Sequence, residues 1–218
     1  MSKVLAFFDL DHTLLSQNTG VLYALFSLRQ RRLSLIDTLR SLRWAFQHRR
    51  GKLDIDRAYA KAGDLFRGMS GPMLRSEAHA WFARDVLRHV RPGARSAIAR
   101  HRAQGHKTVV LTNSSSFIAE AACEALGMDA WLANQILLDE GGLITGKVPQ
   151  PLCYGQGKVT YARAYADEHG AQLSDAWFYS DSVSDLPLLL EVGTPVAVHP
   201  DPRLLRVARE RGFQVAHW

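Results

Sequence analysis

Val4-Leu5-Ala6-Phe7-Phe8-Asp9-Leu10-Asp11-His12-Thr13-Leu14 is the stretch that decides the fold. Its first five residues are an unbroken apolar and aromatic run, the composition of a strand buried on both faces of a parallel sheet. Two carboxylates, Asp9 and Asp11, stand where that strand leaves the sheet. Open α/β sheets bind ligands at the carboxyl ends of their strands. Acids this close repel one another, so both stay ionised only beside a cation or hydrogen-bond donors. Asp is also a common turn residue, and the stretch taken alone leaves a solvated turn as the alternative.

Working outward, the chain supplies the alternation that a parallel sheet requires. Residues 107–112 form a β-branched run, and residues 177–180 and 195–198 read as further strands. Helical stretches at 94–104, 116–126 and 158–169 separate them, closed by Gly105, Gly127 and Gly170. Residues 137–145 read as a hairpin around Gly141-Gly142. From Ser16 to Arg91 the pattern is helical instead. Leu35, Ile36, Leu39, Leu42 and Phe46 recur at helical spacing, and 54–66 and 76–90 read as helices on either side of a Gly68-Met69-Ser70-Gly71-Pro72 break. The expected fold is α/β: a Rossmann-like parallel sheet flanked by helices, built from 1–15 and 92–218. Residues 16–91 are expected to form a helical domain inserted over the sheet's C-terminal edge.

Composition narrows the function classes. With 218 residues and 47% hydrophobic content, the chain suits one domain or a core carrying a smaller insert. Cys123 and Cys153 lie in no paired spacing, which argues against a disulfide framework or zinc site and fits a reducing, cytoplasmic compartment. The N-terminal apolar run is too short for a signal peptide and carries Asp9 and Asp11. No stretch is apolar for long enough to span a bilayer. The net charge of +6 is uneven, since 16–91 holds 15 Lys/Arg against 6 Asp/Glu while the remainder is net negative. Such a surplus draws anions, or serves solubility alone. The basic stretch 29–50, with Trp44 and Phe46 interleaved, motivates a rival of another class, a peripheral membrane or nucleic-acid binding protein. The apolar stripe is expected to pack within the insert instead, which argues against nucleic acid and membrane as partners.

Three further stretches carry chemistry. In Thr112-Asn113-Ser114-Ser115-Ser116 a hydroxyl ends a buried strand and small polar residues lead into a helix, an arrangement suited to phosphate. A simple N-cap explains one of these residues but does not need all five. Gly155-Gln156-Gly157-Lys158 puts a lysine at a helix start, where the macrodipole already favours anions and where lysine is structurally misplaced. In Tyr179-Ser180-Asp181-Ser182-Val183-Ser184-Asp185 an aromatic strand again ends in acid, and a second acid follows four residues later. Mg²⁺ needs only one or two carboxylates together with phosphate and water. Acids at two strand ends for a cation, and a hydroxyl and a lysine for a phosphoryl group, make one site.

The order and spacing of Asp9-Leu10-Asp11-His12-Thr13, Thr112, Lys158 and Ser180-Asp181-Ser182-Val183-Ser184-Asp185 resemble the four motifs of the haloacid dehalogenase-like hydrolase superfamily. The resemblance covers nearly the whole chain, and the helical insert is similar to a type-one cap. Leu65 to Ser70, Tyr179 to Ser182 and Asp185 to Leu189 are similar to subfamily IB, which includes phosphoserine phosphatases and histidinol-phosphate phosphatases. The resemblance implies a Mg²⁺-dependent phosphomonoester hydrolase acting on a small phosphorylated metabolite. By it, Asp9 is the nucleophile that forms an aspartyl-phosphate, and Asp11 is the general acid and base. Asp9, Asp11 through its main-chain carbonyl, and Asp181 hold the metal, with Asp185 a metal-shell or lysine-orienting residue. Thr112, Asn113 and Lys158 bind phosphate. Phosphoserine phosphatases carry a Glu nine residues after the nucleophile to read the substrate amine. Asn18 occupies that position, which argues against phosphoserine. Histidinol phosphate lacks the carboxylate that such enzymes read, so histidinol phosphate or a related amino-alcohol or amino-acid phosphate is the expected substrate. Arg67 is the nearest match to the family's carboxylate-reading arginine. Alternatives within the family are a phosphoserine phosphatase and a phosphotransferase. The expected assembly is a monomer or homodimer.

Overall fold

A computed structural model describes residues 4–32, 34–36, 38–40, 43 and 55–218. Six strands form one sheet in the order β3-β2-β1-β4-β5-β6, with every pair parallel. They are β1 (Leu5–Phe8), β2 (Lys107–Ser115), β3 (Ala130–Asn134), β4 (Trp177–Ser180), β5 (Thr194–Val198) and β6 (Gln214–Ala216). β1 lies inside the sheet, and all four of its residues have no exposed surface. Side chains alternate across a strand, so Leu5 and Phe7 join one core with Val109, Phe178 and Val159, while Ala6 and Phe8 join the other with Val110, Tyr179 and Ile98. An unbroken apolar run is what two covered faces demand. The chain adds β2 and β3 on one side of β1 and then returns to place β4 on the other. This reversal opens a crevice at the carboxyl ends of β1 and β4.

Two strands escape the sequence pattern. β3 reads Ala-Trp-Leu-Ala-Asn, without a β-branched residue, and β6 has only three residues at the sheet edge. β2 runs past its apolar residues into Asn113–Ser115, where Ser115 pairs with Asn134 after a register shift. The hairpin is present: Leu138 bridges Ile144, and the Asp139 carboxylate accepts from the main-chain N–H groups of Gly141 and Leu143.

Between β1 and the Pro92–Ala103 helix the described residues are helical, as expected, in Thr19–Arg29, Ile55–Phe66 and Gly71–Trp81. Ser70 caps the last of these, with Pro72 in its first turn. The two connections to the sheet run side by side: Leu15 bridges Val90, Ser16 N–H donates to His89 O at 2.9 Å, and Arg91 N–H to Leu14 O at 2.9 Å. On its far side the insert is sewn to the hairpin. Gly68 N–H donates to Ile144 O at 2.8 Å, Ile144 N–H to Met69 O at 2.9 Å, and Gly71 N–H to Gly142 O at 2.9 Å. The apolar stripe does not pack within the insert over its described part, since Leu35, Ile36 and Leu39 are 63%, 70% and 57% exposed. Leu42, Trp44 and Phe46 lie outside the described residues. Among the described residues no helix is long and apolar enough to cross a membrane.

Beneath β4, His101 is fully buried and bridges two partners. Its Nε2 lies 2.8 Å from the Tyr179 hydroxyl and its Nδ1 lies 2.9 Å from His106 Nδ1. Burial, with repulsion from His106 and Arg100, pushes the imidazole from 6.5 down to about 4. An unfolded chain therefore takes up this proton first. The contribution of His101 to stability is complete above pH 6.5 and drains away as pH falls towards 4. Urea denaturation from pH 7 to 4 should show that slope. His101→Phe should flatten it while lowering stability at pH 7.

Candidate active site

The site is assembled where β1, β2 and β4 end and one helix begins. Asp9 leaves β1 with its N–H donating to Tyr179 O at 2.9 Å, so the β1 and β4 ends are joined by main chain. The chain then closes a wide turn, Leu15 N–H donating to Leu10 O at 2.9 Å, with His12 at φ 61°. Histidine tolerates this left-handed backbone better than most residues. The turn swings the Asp11 carboxylate to the start of the Thr19–Arg29 helix, where it accepts from Thr19 N–H at 2.7 Å and Asn18 Nδ2 at 3.1 Å. It also sends Thr13 Oγ1 to Asp181 Oδ1 at 3.3 Å.

Lys158 enters from the helix Gln156–Glu168. Gly157 lets that helix start against the main chain: a Cβ there would stand 1.8 Å from Leu152 O. The Lys158 ammonium is 2% exposed and donates to Asp9 Oδ1 and Asp185 Oδ2, both at 2.7 Å. Asp185 Oδ2 also accepts from Ser180 Oγ at 2.7 Å. Asp185 is expected as a metal-shell or lysine-orienting residue, and the contact seen here is with the lysine. Burial works against the ammonium, but the Asp185 and Asp9 carboxylates outweigh it and hold the lysine charged, above its ordinary range.

At the end of β2, Thr112 is buried and its Oγ1 accepts from Ser114 N–H at 3.1 Å. Ser114 Oγ lies 2.9 Å from Thr19 Oγ1. Asn134, ending β3, donates to Asn113 O at 2.7 Å and accepts from Cys153 N–H at 2.7 Å. Tyr59 of the insert lines the cavity together with this amide.

Asp9, Asp11, Thr112, Asn113, Lys158, Asp181 and Asp185 all line one cavity of about 600 Å³. Asn18 lines it too, but both ends of its amide are engaged: Oδ1 caps Val21 N–H at 3.0 Å while Nδ2 holds Asp11. Arg67 does not join them. Its side chain is exposed, pairs with Asp64 at 2.6 Å, and lies along a neighbouring crevice. Tyr59 and Asn134 are not legible as site residues in the sequence, whereas Ser114 and Thr13 stand within the stretches already singled out there. Asn134 sits on the strand that propensity misses, and Tyr59 on a helix with no motif.

Negative charge is crowded here. Burial, together with Asp185 and Asp11, pushes Asp9 up to about 7 against the pull of Lys158. Burial and the charges of Asp9 and Asp185 likewise raise Asp181 well above the carboxylate range. One ammonium serves several acids, and a further cation would relieve both shifts. Among the described residues no three His, Cys, Asp or Glu side chains gather as a metal cage. One or two carboxylates, completed by phosphate and water, are the smaller protein donor set that suits Mg²⁺.

The model of the haloacid dehalogenase-like hydrolase family matches residues 6–190. A histidinol-phosphatase of Neisseria meningitidis serogroup C (strain 8013) is 30% identical over 221 residues, covering 99% of each chain. A solved protein of unknown function from Bordetella pertussis Tohama I superposes with TM-score 0.87 at 30% identity, over 99% of this chain and 98% of that one. A phospho-aspartyl intermediate analogue of phosphoserine phosphatase shares the fold, with TM-score 0.66 at 19% identity over 94% and 91%.

The close approach at Gly157 fixes where Lys158 starts. Gly157→Ala is expected to cost about 1–3 kcal/mol of stability in urea denaturation. Parental stability would show that the Leu152 backbone yields freely.

Proposed function

The chain belongs to the haloacid dehalogenase-like hydrolases, and from that premise we propose that it hydrolyses small phosphomonoesters in a Mg²⁺-dependent reaction with Asp9 as nucleophile. The observation that carries the reading is the Lys158 ammonium, buried between Asp9 and Asp185 at the floor of a cavity. A dianionic ester approaching a bare carboxylate would be repelled, and the lysine offsets that. We assign Mg²⁺ to the carboxylates of Asp9 and Asp181 and the main-chain carbonyl of Asp11, where it would supply counter-charge to the phosphoryl group. Residues 16–91 act as the cap that shields the reaction from bulk water.

An Asp9 carboxylate oxygen attacks phosphorus, and the bond from phosphorus to the ester oxygen breaks. Asp11, protonated at that moment, gives its proton to the departing alkoxide. Asp11 then takes a proton from water as the water oxygen bonds to phosphorus and the acyl phosphate bond to Asp9 breaks, releasing inorganic phosphate. Thr112, Asn113 and Lys158 hold the non-bridging oxygens, where preorganised donors act most strongly.

The substrate is a small phosphorylated metabolite. Between the two named in the family, histidinol phosphate is favoured over phosphoserine. Arg67 is not among the residues that line the cavity and its guanidinium is paired with Asp64, so phosphoserine lacks its carboxylate reader, a group that histidinol phosphate does not need. The 30% identity to a histidinol-phosphatase over 99% of both chains supports the same choice. Both cysteines are free and buried, in keeping with a cytoplasmic home.

Asp9→Asn should abolish phosphate release while keeping the parental circular dichroism spectrum and a cooperative unfolding transition, shifted to lower urea by the loss of one partner of Lys158. Near-parental activity in that variant would remove Asp9 from its role. Chelation should likewise silence the enzyme, with recovery on adding Mg²⁺. Full activity in excess chelator would refute the metal requirement.

A further inference from the structure

The cavity has two chemically different halves. All five acids among its described lining residues, Asp9, Asp11, Asp181, Asp185 and Asp201, come from the strand ends, and each is engaged. Asp9 and Asp185 hold Lys158, Asp11 holds Asn18 and Thr19, and Asp181 accepts from Thr13. Asp201 caps the Pro202–Arg211 helix through the N–H groups of Arg203 and Leu204. Facing them, every described lining residue from Gly20 to Ala78 is aliphatic, aromatic or glycine, among them Val21, Ile55, Ala58, Ala62, Phe66 and Leu74. Of the two tyrosines of that half, Tyr23 has its hydroxyl on Glu77 at 3.3 Å and so offers its ring. Phe117, Ile118, Ile136 and Ile144 continue this wall from the sheet side. Apart from Lys158, the basic side chains among the described lining residues are Lys147, exposed at the rim, and His12, in the turn that follows β1.

We infer that the preferred substrate is a phosphomonoester whose alcohol is apolar and uncharged, an alkyl or aryl group lodged against the wall formed by the insert. The inference rests on the hydrolase reading above and deepens it. An ammonium carried into this half would lose its hydration and find no carboxylate among the described residues of the wall, and a carboxylate would find only Lys147 at its rim. An alkyl or aryl group gains by leaving water there. A cavity of about 600 Å³ has room for the phosphoryl group and a sizeable organic group beyond it. The order of preference is therefore apolar esters first, histidinol phosphate next and phosphoserine last.

The test is a kcat/KM series on the full chain with Mg²⁺, using ethyl, butyl and hexyl phosphate, phenyl phosphate, histidinol phosphate and phosphoserine. The constant should rise by up to about fourfold for each methylene added. Phenyl and hexyl phosphate should exceed both zwitterionic esters. Ala62→Glu puts a carboxylate into the wall and should reverse the order, lowering hexyl phosphate and raising histidinol phosphate. Ile55→Gln, at the first residue of its helix, is the milder variant should Ala62→Glu not fold, and should flatten the chain-length slope. Phosphate release with no chain-length dependence, or with phosphoserine preferred, overturns this inference and leaves the hydrolase reading standing. No release from any ester, phenyl phosphate included, overturns both.

Discussion

Two buried carboxylates sharing one buried ammonium set the terms for everything around them. Asp9 and Asp185 arrive from different strands, and each meets Lys158 at 2.7 Å. Removing one member of such a buried set typically costs about 3–5 kcal/mol, because the remaining charges lose their compensation. The lysine can stand there only if its helix begins against the 151–153 main chain, which Gly157 permits, and only if β1 and β4 are neighbours. Sheet order, helix start and charge balance are thus one constraint. The ion pair also stops short of neutrality. Asp181, drawn in beside Thr13, adds a charge that Lys158 does not cancel. The same crowding that costs stability makes the place attractive to a cation and, through it, to a phosphoryl group.

The strand ends were the legible part of this molecule. In β1 and β4 an aromatic run stops at an acid, and both signals are local, so the sequence carries them without help from tertiary structure. β3 is different. Ala130–Asn134 has little intrinsic strand preference and pairs because β2 offers it an edge, and Asn134 with its amide network comes along unseen. Arg67 shows a second limit. The spacing that makes it a plausible carboxylate reader says nothing of which way it faces. Just past the Ile55–Phe66 helix it turns to Asp64 and solvent, while Ala58 and Ala62 of that helix line the cavity. Asn18 shows a third, because it lines the cavity but its amide is already occupied by Asp11 and by the helix start it caps.

The contrast between the two halves of the cavity follows from where their residues come from. The floor is built from main-chain ends and short polar side chains, whose placement is dictated by the sheet. The opposing wall is built from helix faces, whose small and aliphatic residues fill space without fixing direction. Under the reading proposed above, chemistry belongs to the strand-end half and selectivity to the half that does not touch Lys158.

The seam between the insert and the hairpin bears on how this architecture can be taken apart. Gly68, Met69 and Gly71 meet Ile144 and Gly142 through main-chain hydrogen bonds, and Gly71 sits against Leu138. The hairpin therefore belongs to the strand-and-helix half by connectivity and to the helical half by adhesion. A graft that exchanged residues 16–91 alone between relatives would leave its hydrogen-bonding groups facing strangers, with Leu138 and Ile144 stripped of cover and ready to stick to other chains. The transferable unit is discontinuous, and it carries residues 137–145 with it.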